Sequence, residues 1–145
     1  MSNVELSESL EDYLLAIAAL GREDDSRSGQ VHSGRVAERV GVSTASVTHA
    51  FRALSERGLI EYRRYQAVRL TELGSEVAHQ VLSRKQTLLR FFREILGLDQ
   101  QEAEQNAHRM EHVITSEAVR RLEQLVERLD RDESVNRETP GPTGR

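Results

Sequence analysis

The sequence predicts a mainly α-helical protein with one small β-hairpin set between two groups of helices. Three observations carry this. Apolar residues recur at three- and four-residue intervals, as on the buried side of a helix. Strict alternation is confined to two short runs, Leu59–Tyr62 and Val68–Leu70, which suits a hairpin and nothing larger. The chain of 145 residues is 37% apolar, enough for helical cores but not for a large all-β architecture.

The elements follow in order. Ser7 or Ser9 can cap a first helix whose stripe is Leu10, Tyr13, Leu14, Ile17 and Leu20, ending at Gly21,. Arg22–Gly29 is polar and contains Gly and Ser, the composition of a surface loop,. A short helix spans Ser33–Val40, with Val36, Ala37 and Val40 inward. Gly41–Ser43 is a turn, and Ser43 or Thr44 caps the next helix, which runs to about Arg57 before Gly58 at its C′ position,. The hairpin strands flank a basic tip, Arg63–Gln66. A long helix covers Leu73–Leu96 until Gly97, and further helices cover Gln100–Val113 and Ser116–Leu129. The charged and Pro/Gly-containing remainder suggests a disordered tail. The expected organisation is residues 1–73, 74–130 and a tail of 131–145.

Residues 35–70 have the order of a winged helix-turn-helix,. Small Ala37 lets two helices approach, Gly41 takes the turn, and Val47 locks the second helix onto the first. That second helix, with its cap, offers Ser43, Thr44, Ala45, Ser46, Thr48, His49 and Arg52, small or hydrogen-bonding side chains suited to a major groove,. Arg63 and Arg64 at the hairpin tip are placed to meet phosphates,. The net charge of −4 divides into −6 over residues 1–26, +6 over 27–96 and −4 over 97–145. The basic middle coincides with the proposed reader and favours a DNA partner over a protein one.

His108, Glu111 and His112 fall at i, i+3 and i+4, so one helix face carries two imidazoles and a carboxylate within reach of one metal ion,. There is no cysteine, so thiolate sites and disulfides are excluded and the chain suits a cytoplasmic setting. The same His-x-x-Glu-His spacing occurs in zinc hydrolases, where the glutamate is a general base. Such an enzyme needs a third ligand, an open position and a substrate cleft, and nothing in the sequence supplies an oxyanion stabiliser or a specificity pocket. A winged-helix regulator that senses no metal is the other alternative. Met1–Leu10 is acidic and lacks the basic start and apolar core of a signal peptide,. No apolar run approaches the ~20 residues of a membrane span.

Three stretches carry a resemblance: Glu11-Asp-Tyr-Leu14, Gly34-Arg-Val-Ala-Glu-Arg-Val40, and Gly97-Leu-Asp99 running on to Glu111-His112-Val113. In order and spacing, from Leu10 to about Leu129, the chain resembles the diphtheria toxin repressor and manganese transport regulator family of metal-activated repressors, in the short form without an SH3-like domain. The resemblance implies a non-enzymatic, homodimeric repressor of metal-homeostasis genes that binds a palindromic operator. It implies a metal site of Asp12, His108, Glu111 and His112, with His108 departing from the Cys or Glu found elsewhere. Manganese-type relatives add a carboxylate where this chain has Leu15, and a histidine where it has Lys85, or Gln86 with the alignment shifted by one. A single ion per chain is therefore expected, with Lys85, paired to Glu104, as a fixed charge in place of a second cation. Carboxylates with imidazoles suit Mn(II) or Fe(II), and also Zn(II) or Co(II). His32, His49 and His79 are not expected to be ligands.

Overall fold

The computed structural model describes residues 4–23, 29–63 and 67–138. Among them the elements are α1 (Glu8–Glu23), α2 (Ser33–Val40), α3 (Thr44–Glu56), β1 (Ile60–Glu61), β2 (Arg69–Leu70), α4 (Glu72–Arg90), a π-helical turn (Phe91–Ile95), α5 (Gln100–Glu111) and α6 (Ser116–Glu138). The chain divides into two compact units, residues 1–82 and 83–145.

In the first unit α1, α2 and α3 pack on one another, with β2 against α1 and β1 against α3. Leu14, Val36, Val47, Phe51, Leu54 and Leu59 form the fully buried centre. Ser7 caps α1 through the Leu10 amide, at 3.3 Å. Gly41 takes the left-handed conformation, φ 77°, that lets the chain turn sharply between α2 and α3,. The two strands pair antiparallel, Ile60 opposite Leu70 and Glu61 opposite Arg69. Val31 adds an isolated bridge to Val68.

In the second unit Leu88, Phe92, Ala103 and Ala107 form a small core, joined by Leu89, Phe91, Leu98, Ile114 and Leu122. The side chains of α4 and α6 meet through Ser83, which donates to Glu123 at 3.0 Å, and through the Arg90–Asp130 ion pair. Asp99 caps α5, accepting from the Glu102 amide at 2.8 Å,.

Several boundaries differ from expectation for identifiable reasons. α1 continues through Gly21 to Glu23. That glycine serves close approach rather than termination, because a Cβ there would lie 3.2 Å from the Gly29 carbonyl oxygen. The long helix is α-helical only to Arg90. It then widens by one residue, with the Leu96 amide bonded to the Phe91 carbonyl at 3.1 Å, and Phe92 stays buried,. α5 ends at Glu111, with His112 as its C-cap. The last helix runs on to Glu138, not Leu129, so the expected tail from residue 131 is corrected. Charged residues such as Glu and Arg are good helix formers, and the first strong breaker is Pro140. The first part of α4 buries Val77, Ala78 and Val81 in the first unit's core, so the compact units divide after residue 82, within α4.

Candidate metal centre and nucleic-acid interface

Along α5 the buried positions are Ala103, Ala107 and Glu111, one stripe at intervals of four residues,. Two small apolar residues are thus followed on the same stripe by a carboxylate, whose side chain is only 2% exposed. His108 and His112 stand beside it, with side chains 58% and 38% exposed. Their rings are edge to face at 5.2 Å.

Three nitrogens converge on one oxygen. Glu111 Oε1 lies 2.9 Å from Lys85 Nζ, 3.4 Å from His108 Nδ1 and 3.5 Å from His112 Nε2. The ammonium distance is that of a charge-assisted hydrogen bond. The imidazole distances exceed a normal hydrogen bond, so the two rings stand around the carboxylate without bonding it. The chemistry of the set, a carboxylate with neutral imidazoles, fits a divalent first-row ion.

Lys85 reaches this cluster from α4, one turn before Leu88 of the small core. Its partner is Glu111, not the expected Glu104. Glu104 lies on the exposed side of α5 and accepts from the Gln100 side chain. Sequence spacing could not choose between the two carboxylates; the buried stripe does. Asp12 is exposed on α1 and lines an open groove of the first unit with Leu15, Ala16, Arg22 and Arg39. The buried carboxylate of that helix is its neighbour Glu11. Leu15 is half-buried.

The reader is built on α3. Val47, Ala50, Phe51 and Leu54 face the core, which turns Thr44, Ala45, Ser46, His49 and Arg52 outward as exposed residues. The Ser43 hydroxyl accepts from the Ser46 amide at 3.2 Å and lies 3.1 Å from the Ser46 hydroxyl. Thr48, half-buried, donates back to the Thr44 carbonyl at 3.0 Å. Ser43 therefore does structural work as the N-cap, and Thr48 has its proton committed locally. Thr44, His49 and Arg52 are the exposed polar side chains for which no such local bond is seen. Arg63 is exposed at the start of the wing tip, and Arg64 lies outside the described residues. On the wing strands Arg69 donates to Glu61 at 2.6 Å. That hydrogen bond, with the pair's mutual attraction, holds the Glu61 carboxyl below its ordinary range and raises Arg69. Sequence reading missed this neutralised pair, whose signal is the antiparallel register that sets residues 61 and 69 opposite one another.

Comparison with known proteins agrees with both halves. Residues 5–68 match the family described as iron dependent repressor, N-terminal DNA binding domain, and residues 71–140 match its metal binding and dimerisation domain. An uncharacterised HTH-type transcriptional regulator of Methanocaldococcus jannaschii is 30% identical over 124 residues, spanning 86% of this chain and 97% of that protein. The HTH-type transcriptional regulator MntR of Bacillus velezensis is 28% identical over 130 residues, spanning 90% of this chain and 88% of its own. The solved structure of a manganese-dependent transcriptional repressor in complex with manganese aligns with a TM-score of 0.64 at 28% identity. It covers 81% of this chain, which in turn spans about half, 52%, of that one. With a helix-turn-helix in one unit and a carboxylate–imidazole cluster in the other, the chain belongs to the iron dependent repressor family of metal-dependent transcriptional regulators.

Proposed function

We propose that this chain is a homodimeric, metal-activated repressor of metal-homeostasis genes, acting in the cytoplasm on a palindromic operator. The observation that carries the metal part is the convergence of His108 and His112 on the buried Glu111 oxygen. Those three residues would hold the ion, and Asp12 is proposed as a fourth ligand on the family resemblance. When bound, a divalent ion supplies a positive charge that several donors share. Asp12 belongs to the unit that carries the reader and the α5 residues to the other. By sharing one cation they would couple the two, biasing the population toward a DNA-competent arrangement. Two carboxylates with two imidazoles favour Mn(II) or Fe(II), with Zn(II) or Co(II) as weaker candidates.

α3 is proposed to enter the major groove, with Thr44, Ala45, Ser46, Thr48, His49 and Arg52 toward base edges, and Arg63 and Arg64 on adjacent phosphates. One winged helix reads a short half-site, so a twofold dimer on a palindrome is the natural arrangement. Exposed Leu125 and Leu129, one turn apart on α6, are apolar surface that a second copy can cover,. No helix among the described residues is long and apolar enough to cross a membrane. A hydrolase using Glu111 as base is disfavoured because an ammonium already holds that carboxylate.

The test is operator binding and metal content measured on the same preparation, with and without chelator. Metal-dependent binding supports the proposal. Tight operator binding that ignores both chelator and metal means a winged-helix regulator that senses something else.

A further inference from the structure

We propose that Lys85 is a tethered counter-cation of the metal centre: it limits the site to one ion per chain and raises the metal concentration at which the site fills. This inference rests on the reading of His108, Glu111 and His112 as metal ligands.

The argument starts from burial. A carboxylate that is 2% exposed has lost nearly all contact with water, and removal from water strongly penalises an isolated ion,. Lys85 supplies a partner at 2.9 Å, from a side chain itself only 27% exposed. The metal-free site is therefore already neutralised at its innermost ligand. It does not need an external cation to be stable.

The bond falls on the same oxygen, Oε1, that both imidazoles face. A carboxylate oxygen has two lone pairs, so Oε1 can keep the ammonium and still serve a second cation. A ligand hydrogen-bonded on its far side is also held in orientation. The two positive charges then share one atom, a few ångströms apart, on a carboxylate that is itself 2% exposed,. An incoming divalent ion meets a ligand whose charge is partly spent and a fixed like charge beside it. The balance of orientation and repulsion decides the sign. Because the half-buried ammonium places a full charge 2.9 Å from the ligand oxygen, repulsion prevails and Lys85 weakens metal binding.

The experiment is Mn(II) titration by calorimetry, with metal counted after dialysis, on the full chain and on Lys85→Gln, Lys85→Arg and Lys85→His. The wild type and Lys85→Arg are expected to take one ion per chain with similar affinity. Lys85→Gln is expected to bind about tenfold tighter or more, ~1.4 kcal/mol. Lys85→His, with a ligand in place of the charge, is expected to take a second ion. Circular dichroism of each metal-free variant identifies any that has failed to fold, and Lys85→Gln and Lys85→His test the idea independently. Two ions on the wild type, or Lys85→Gln binding one ion with unchanged or weaker affinity, would overturn the proposal while leaving the metal site itself standing. A wild type that binds neither Mn(II) nor Fe(II), Co(II) or Zn(II) would remove the metal-site reading beneath it.

Discussion

Val31 and Val68 exchange two backbone hydrogen bonds, of 2.7 and 2.8 Å, and so tie the chain just before α2 to the second strand of the wing. Both side chains are fully buried. The wing is thereby anchored to the helix-turn-helix rather than left as a free hairpin of two-residue strands, which would be marginal alone,. The Val31 and Val68 amides should exchange slowly with solvent, near the rate of global unfolding of this unit. Val68→Pro removes the donor and should loosen the wing, weakening operator binding while Mn(II) stoichiometry stays unchanged. Fast exchange at both amides in the native protein would show that the anchor does not hold in solution.

The charges of the wing should be read out by salt. Arg63→Ala together with Arg64→Ala should weaken binding to all DNA sequences and reduce the log–log salt slope by about one per lost phosphate contact. Glu61→Gln should do the reverse: it releases Arg69 from its ion pair and should steepen the slope by up to about one,. Glu61 is held below its ordinary value by Arg69. The pair is therefore complete above the ordinary carboxylate range and is lost only as pH falls through the lowered value. A wild-type slope that changes between pH 7 and pH 5 would have another source. His49→Ala should alter base preference instead, seen by comparing operator variants at one salt concentration.

Glu111→Gln should abolish the metal response of operator binding, because a neutral amide is a poor substitute for a charged ligand. The same change leaves Lys85 beside an uncharged partner. The wild type should show no peptidase or esterase turnover with Zn(II) or Mn(II). Turnover that is robust in the wild type and vanishes in Glu111→Gln would favour the hydrolase.

Asp12→Ala tests the fourth ligand. Asp12 is exposed, so the variant should fold and melt like the wild type, changes at such positions usually costing under about 0.5 kcal/mol. Its operator binding should be weak and insensitive to metal. If the wild type gains about ten- to a hundredfold in affinity on metal binding, ~1.4–2.8 kcal/mol of coupling is being lost. A variant that keeps the full metal response would remove Asp12 from the site.

Much of this protein is written locally. The α2–turn–α3 unit is legible because its signals are short-range: an apolar pattern at Val36, Ala37 and Val47, a left-handed Gly41, and a serine cap at Ser43. The face shared by His108, Glu111 and His112 follows from 3.6 residues per turn alone. What composition suggested about the C-terminal segment was too strong, since charge solvates a helix without breaking it, and α6 runs on to Glu138. The sequence by itself determined the helix-turn-helix and the helix face shared by the α5 triad, while Thr48, expected to be presented, is half-buried. Only tertiary structure decided that Lys85 bonds Glu111 rather than Glu104, that Val31 pairs with Val68, and that Gly21 makes room for the backbone at Gly29. These relationships join residues 8 to 37 positions apart in the chain, and no local periodicity encodes which of several equivalent partners packing will bring within reach.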